Sequence, residues 1–303
     1  MVSGATQPAP VLARVVATFG RQSLVAIDSG PLLPAVRRGK RVDVVVGDRV
    51  ELAAGQLEPA VIESIAPRSN LLYRADEMRT REMAANIDQV AVVYAPQPTF
   101  AETFIWRALV AAHAAGIEAI VILNKADLVA TNPRAETTRV LLASLGYKTL
   151  LLSAKHEALA ARETLLTFLR GRATLLAGQS GMGKSTVLNL LVPHAAARTQ
   201  EYSIKLNLGK QTTTASRWFD LAADEGGGAV VDSPGFQAFG LSHLDAATVA
   251  EAMPDFGPHL GTCRFNDCVH IEEPGCPIRA AVAAGEIAAS RYAFYRGLAI
   301  EAQ

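Results

Sequence analysis

Residues 178–185 read Gly-Gln-Ser-Gly-Met-Gly-Lys-Ser, a complete G-x-x-x-x-G-K-[ST] standing in the middle of the chain. Such a loop has to be fed by a buried strand and followed by a helix, which commits this part of the chain to an α/β sheet. Upstream lie Asn124-Lys125-Ala126-Asp127 and then Ser153-Ala154-Lys155. Downstream lie Thr212-Thr213-Thr214 and Asp232-Ser233-Pro234-Gly235. A nucleotide-binding domain with these five motifs ordinarily starts at the P-loop and ends at S-A-K. Here the last two motifs come first, with their own order intact. The sequence therefore encodes that domain from a different starting point, a circular permutation.

The surrounding pattern agrees. Apolar runs at 87–94, 117–123, 148–152, 172–176 and 229–231 alternate with helical stretches at 101–115, 134–145, 157–170 and 185–191. Near-unbroken apolar strands separated by helices predict a parallel sheet covered on both faces. Ligands in such sheets bind at the carboxyl ends of the strands. The motifs at Asn124, Ser153, Gly178 and Asp232 all fall at such ends.

Before this alternation, strand-like runs at 13–19, 23–27, 41–46, 49–52 and 60–65 are separated by turn signals with no helix between them. They predict a small barrel or sandwich, and a five-stranded OB-fold suits the length. The expected organisation is a disordered lead over 1–10, an OB-fold domain over 11–74, the permuted P-loop domain over 80–240, and a mainly α, zinc-binding domain over 241–303.

The motif chemistry points to guanine nucleotides. Backbone N–H groups of Gly178, Gln179, Ser180, Gly181, Met182 and Gly183 would cradle phosphates at a helix N-terminus that also carries Thr186. Lys184 would reach the β- and γ-phosphates, and Ser185 would ligate magnesium. The Asp127 carboxylate matches the two adjacent donors on the guanine edge, which adenine lacks, so adenine would leave it charged and unpaired. Asn124 would hold the base edge and the loop, and the stem of Lys125 would cover the purine. Ala154, steadied by Ser153 and followed by Lys155, would offer its N–H to the guanine carbonyl. Asp232 would act on magnesium, Gly235 would meet the γ-phosphate, and one of Thr212–Thr214, here assigned as Thr213, would complete the metal shell.

Hydrolysis has a less orthodox signature. The position after D-x-x-G, where many GTPases carry a water-orienting Gln, holds Phe236. Gln237 comes one residue late. Gln211, just before the threonines, is the candidate within the chain, alongside Lys184 and Asp232. Intrinsic turnover is expected to be slow.

Cys263-x4-Cys268-x-His270-x5-Cys276 uses every cysteine in the chain. Three thiolates and one imidazole make a closed tetrahedral shell for one structural Zn2+. His259 is spaced less suitably. An odd cysteine count with a metal-like spacing fits a reducing cytoplasm better than a disulfide framework. No membrane span is visible, and Met1–Pro10 lacks a signal-peptide pattern. With 29 basic and 29 acidic side chains, a uniformly basic nucleic-acid coat is excluded and only local patches remain.

Taken together, the barrel, the permuted motifs and the C-x4-C-x-H-x5-C loop resemble the circularly permuted ribosome-assembly GTPases of the RsgA (YjeQ/YloQ) family over nearly the whole chain. The resemblance implies an enzyme that converts GTP to GDP and phosphate, binds the small ribosomal subunit and its rRNA late in maturation, and is stimulated and released there; a monomer is expected, although the sequence does not itself give the oligomeric state. One departure stands out. That family usually carries a histidine before the threonines, and this chain has Gln211, which can orient water but cannot accept a full proton as an imidazole does. For RNA contact the barrel offers Arg37, Arg38, Lys40 and Arg41. Its aromatics are sparse, which favours phosphate contact over base stacking. Two rival readings are a nucleotide-gated binder of another RNA and a GTP-dependent metal chaperone. The closed four-ligand loop argues against the chaperone, because a delivery site needs exchangeable metal.

Overall fold

The computed structural model describes residues 11–27, 31–38, 43–53, 58–76, 79–193, 195, 202, 216–233 and 238–301. Strands β1 (Val11–Phe19), β2 (Gln22–Ile27), β3 (Leu32–Arg37), β4 (Arg49–Leu52) and β5 (Ala60–Ile65) pair in the order β1-β2-β3-β5-β4, and β4 returns to β1. That closes a five-stranded barrel of OB type and leaves no free edge. Alternate residues point inward, so Val15, Val25, Ala35, Val50 and Ile62 fill it with essentially no exposure.

One expected strand moves. Residues 43–45 form no strand, and Val46 makes only an isolated bridge to Ala84. The valines there are apolar because Val45 and Val46 are buried, not because they form a ladder. The Asp48 carboxylate accepts the Val45 N–H at 2.9 Å and is gripped by both Nε and Nη2 of Arg68, at 2.7 and 2.9 Å. The turn is thus bonded by side chains. Gly47 within it has φ +91°, and a Cβ would lie 2.0 Å from the Ala85 carbonyl oxygen, so only glycine fits. The barrel strand lies earlier, in β3, where Pro34 masks the strand pattern.

The α/β part has strands β8 (Gln89–Tyr94), β9 (Glu118–Leu123), β10 (Lys148–Leu151), β11 (Ala173–Ala177) and β13 (Ala229–Asp232). They run parallel in the order β10-β9-β8-β11-β13. Helices α1 (Glu102–Ala114), α2 (Pro133–Ser144), α3 (Ala158–Leu169) and α4 (Lys184–Leu191) connect them. β8 is buried along its full length, which explains its unbroken apolar run. Strand β12 (Arg217–Asp220) adds antiparallel to β13 and also meets β1 at the pair Ala17–Arg217. The nucleotide-type sheet therefore continues into the barrel wall. A separate hairpin of β6 (Leu71–Asp76) and β7 (Arg79–Ala85) pairs with β14 (Ala238–Phe239), which follows the Asp232 segment.

Beyond β14 come α5 (Ala246–Glu251), α6 (Pro277–Ala284) and α7 (Ala289–Glu301). Asp245 caps α5 by accepting the Thr248 N–H at 2.8 Å. No helix of the described residues is long and apolar enough to cross a membrane. Helix α1 is apolar nearly all round, as expected for a helix covered on its outer side as well. Part of that cover is an ion pair. Arg291 on α7 makes two 2.6 Å bonds to Asp255, with side chains only 2% and 8% exposed, and its guanidinium lies 4.4 Å over the Trp106 ring. Asp255→Ala would strand that cation. The expected cost is about 3–5 kcal/mol of unfolding free energy in urea titrations. A second change, Arg291→Met, should recover most of the loss, because an apolar replacement removes the unpaired charge.

Candidate nucleotide and metal sites

Parallel strands deliver their carboxyl ends to one edge, and the motif residues gather there. Gly183 caps α4 in the left-handed region (φ +93°), and an added Cβ would sit 2.2 Å from Asn124 Nδ2. That close approach lets the Asn124 side chain donate to the Met182 carbonyl and accept from the Ala154 N–H, both at 3.1 Å. Buried Asn124 therefore joins the phosphate loop, the N-K-A-D loop and the S-A-K loop. Lys125, itself left-handed, donates from Nζ to the carbonyls of Gln97 and Gly181 at 2.8 Å. The Gln179 side chain turns away from the loop mouth to accept the Ala101 N–H at 2.8 Å. Ser180, Gly181 and Ser185 are exposed, and Thr186 is half-buried in the first turn of α4.

The charges are arranged in two groups. At the base loop, the Ser153 hydroxyl donates to Asp127 Oδ1 and holds that carboxyl below its ordinary range. His156 Nε2 lies 3.7 Å from Oδ2. Lys155 beside it is exposed. At the phosphate loop, Lys184 Nζ donates to the Gly178 carbonyl and, at 3.3 Å, to that of Gln179. Burial pushes the Lys184 ammonium down and the Asp232 carboxyl up, and the attraction between them opposes both shifts. Arg217, the register partner of Asp232 across β12–β13, adds a second positive charge near that carboxylate. A cation and a carboxylate facing each other beside a glycine-rich loop at a helix N-terminus can hold an anionic phosphate together with a divalent ion.

The second cluster lies near the end of the chain. One ligand atom from each of Cys263, Cys268, His270 and Cys276 falls within 4.8 Å of the others. The three sulfurs surround His270 Nδ1 at 3.5, 3.3 and 3.4 Å. His270 adopts φ +60°. The Glu273 carboxylate holds the loop in this shape by accepting the N–H groups of Val269, Ile271 and Glu272 at 2.7, 2.9 and 3.1 Å. From α7, the hydroxyls of Tyr292 and Tyr295 donate to the carbonyls of His270 (2.6 Å) and Val269 (2.9 Å). Three soft sulfurs and one imidazole nitrogen converging on one point could hold a metal ion. His259 stands apart, 3.6 Å from Glu286.

The RsgA GTPase family profile matches residues 65–242. The chain belongs to the RsgA GTPase family. It is 46% identical over 281 residues to the "Small ribosomal subunit biogenesis GTPase RsgA" of Bordetella pertussis, covering 93% of each chain. It is 47% identical over 290 residues to the protein of the same name in Burkholderia pseudomallei, covering 95% of this chain and 91% of that one. Among solved structures, YjeQ from Thermotoga maritima is similar at 29% identity and a TM-score of 0.71, with 97% of this chain and 99% of that one covered. YloQ, described as a circularly permuted GTPase, shares the fold at 24% identity and a TM-score of 0.67 over 99% and 98% of the two chains.

Several expected site residues of this RsgA-family chain lie outside the described residues: Gln211, Thr212–Thr214, Gly235, Phe236, Lys40 and Arg41. Of the remaining basic cluster, Arg38 is exposed. Arg37 is engaged on the barrel itself, donating to the Glu63 carbonyl at 2.8 Å with Asp43 at 3.4 Å. The geometry also adds neighbours that the motifs did not flag. Gln97 receives Lys125, Arg217 stands beside Asp232, and His156 approaches Asp127. Of these, only His156 carried a sequence signal, as the residue immediately after Ser153-Ala154-Lys155.

Proposed function

We propose that this RsgA-family GTPase binds GTP along the strand-end edge, hydrolyses it to GDP and phosphate on the small ribosomal subunit, and assists that subunit's late maturation before release. The observation that carries the reading is the Asn124 side chain, bonded at once to the phosphate loop and to the S-A-K loop beside Asp127. Base-reading and phosphate-holding parts are thereby fixed in one frame. The names of the Bordetella and Burkholderia relatives support the small subunit as partner.

In this reading the N–H groups of 178–183 and the Lys184 ammonium hold the β- and γ-phosphates, with Ser185 and Thr186 opening the helix beneath them. Asn124, Lys125, Asp127, Ser153, Ala154 and Lys155 hold the guanine, and Gly235 meets the γ-phosphate. Ser185, Thr213 and Asp232 would hold magnesium, which neutralises phosphate charge when bound. Gln211 orients the attacking water, a task Phe236 cannot perform. Cys263, Cys268, His270 and Cys276 would hold one structural zinc. Arg37, Arg38, Lys40 and Arg41 would touch rRNA phosphates, so subunit binding should weaken steeply with salt. The protein works as a cytoplasmic monomer.

The test is GTP turnover with small subunits, large subunits, unrelated RNA or zinc added to the full chain. Stimulation by small subunits alone is expected, and stimulation by metal alone would sink the reading. Gln211→Ala should cut stimulated turnover on the order of a hundredfold while leaving GDP affinity nearly unchanged. Full stimulated turnover in that variant would remove Gln211 from the mechanism.

A further inference from the structure

We propose that the groove between the barrel and the nucleotide sheet, walled by Arg14 and Arg49, is an RNA contact separate from the Arg37–Arg41 cluster: it takes the sugar–phosphate backbone of an RNA strand. It rests on the small-subunit reading above and adds to it a surface for the RNA.

Along β1 and β4 every second residue fills the barrel. Ala13, Val15, Val50 and Leu52 are buried in its interior, so Arg14 and Arg49 between them point outward. The register sets these two directly opposite each other across the β1–β4 ladder. Like charges in opposed positions destabilise a sheet. An anion lying between two guanidinium groups turns that repulsion into attraction. Arg14 is held ready for one. Its guanidinium lies 4.4 Å over the Trp218 ring, and Trp218, 4% exposed, is anchored by its indole N–H to Asp220 Oδ1 at 2.8 Å. A long side chain restrained in advance loses less freedom when a ligand arrives. Arg49 stands beside it, exposed.

The two arginines form one wall of a groove of about 470 Å3, and the amino ends of β8, β11 and β13 contribute to the other. That is the end of the sheet opposite the nucleotide edge, so an occupant would not meet GTP. Two carboxylates also line the groove. Asp88 Oδ2 accepts the Ala173 N–H at 2.7 Å, and Asp220 accepts the Trp218 indole. Each keeps acceptor sites to spare. A bare polyanion would meet them as repulsion. An RNA strand offers phosphates to the arginines and 2′-hydroxyl donors to the carboxylates, and so suits both walls. Base stacking plays no part, because Trp218 is buried beneath Arg14.

The experiment is retention of purified small subunits by the full-length protein, with magnesium and a non-hydrolysable GTP analogue, between about 50 and 200 mM salt. Each phosphate contact contributes close to one unit to the slope of log affinity against log salt. Arg49→Gln should weaken binding roughly five- to tenfold near the middle of that range and lower the slope by about one. The double variant Arg14→Gln/Arg49→Gln should lower it by about two. Arg49→Lys should keep most of the slope, since a phosphate contact needs the charge more than the fork. Removing one of two opposed cations should leave the thermal midpoint unchanged or raised, and GDP affinity unchanged, which separates a binding role from a structural one. Wild-type affinity and slope in Arg49→Gln overturn the proposal, and so does a loss of subunit binding that tracks a fall in the thermal midpoint. Polyglutamate that displaces subunits from wild type but not from the double variant would assign the groove to an acidic protein segment and overturn the RNA assignment. Failure of the underlying small-subunit reading looks different: wild type would retain no small subunits at any salt, and the inference would fall with it.

Discussion

Asp127→Asn should lower GDP affinity by about a thousandfold and make xanthosine diphosphate the better ligand. In the proposed role the carboxylate would offer an acceptor to each of two adjacent guanine donors, the ring N1–H and the exocyclic amine. Hydrogen bonds to a charged group contribute about 1.5–3 kcal/mol each. An amide keeps one acceptor but turns a donor toward the other position, where it meets the guanine amine head-on. Xanthine carries a carbonyl there instead, so the same amide pairs with it. Ser153 can still donate to the remaining amide oxygen, which keeps the loop in register. The Asp127 side chain is 35% exposed, so the fold should not suffer, and the thermal midpoint should stay within a degree or two. Competitive displacement of labelled GDP by GDP, ADP and xanthosine diphosphate gives the answer. Undiminished GDP affinity in the variant would mean that Asp127 does not read the base.

What could be foreseen from the sequence follows from how local the determinants are. Strands β8, β9 and β11 were legible because burial on both faces demands unbroken apolar runs, whatever their partners. The motif loops were legible because glycines and a lysine at fixed spacing have few other uses. Elements fixed by distant partners were not. Val44–Val46 reads as a strand until Asp48 and Arg68, twenty residues apart, are seen to bond the turn. β3 contains Pro34, tolerated because β2 and β5 supply the rest of its pairing. β12 has only four residues, and its role in fusing the two sheets depends on the register pairs Ala17–Arg217 and Arg217–Asp232. The β6–β7 hairpin is stabilised partly by β14, more than 150 residues away in sequence. The buried Arg291–Asp255 pair under Trp106 joins three segments that share no local signal.

Removing the proposed zinc, with a strong chelator or by Cys268→Ser, should unfold residues 263–276 while the nucleotide edge keeps its affinity for GDP. The loop has little core of its own. Cys263 and Cys268 are only partly buried, Phe265 is exposed, and residues 264–267 all face solvent. Its order rests on the four ligands, the three N–H bonds to Glu273 and the two tyrosine hydroxyls from α7. Without a cation, three sulfurs and an imidazole crowd one point with no shared charge to hold them. Structural zinc contributes on the order of 10–16 kcal/mol to small metal-folded units, far more than the remaining bonds of this loop can replace. The damage should stop at α7. That helix is held independently by Arg291 on Asp255 and Trp106, and by Tyr295 packed edge-on against Phe256 at 5.0 Å. Limited proteolysis of the chelated protein should therefore cut first within 263–276, and zinc should restore resistance at one ion per chain. GDP affinity should change by less than about twofold, since among the described residues the cluster is bonded to Glu273 and α7 and not to Asn124, Asp127, Ser153 or Lys184. Protease resistance that survives chelation would show that the loop folds on its own bonds. A matching collapse of GDP affinity would show instead that α7 passes the loss on to α1.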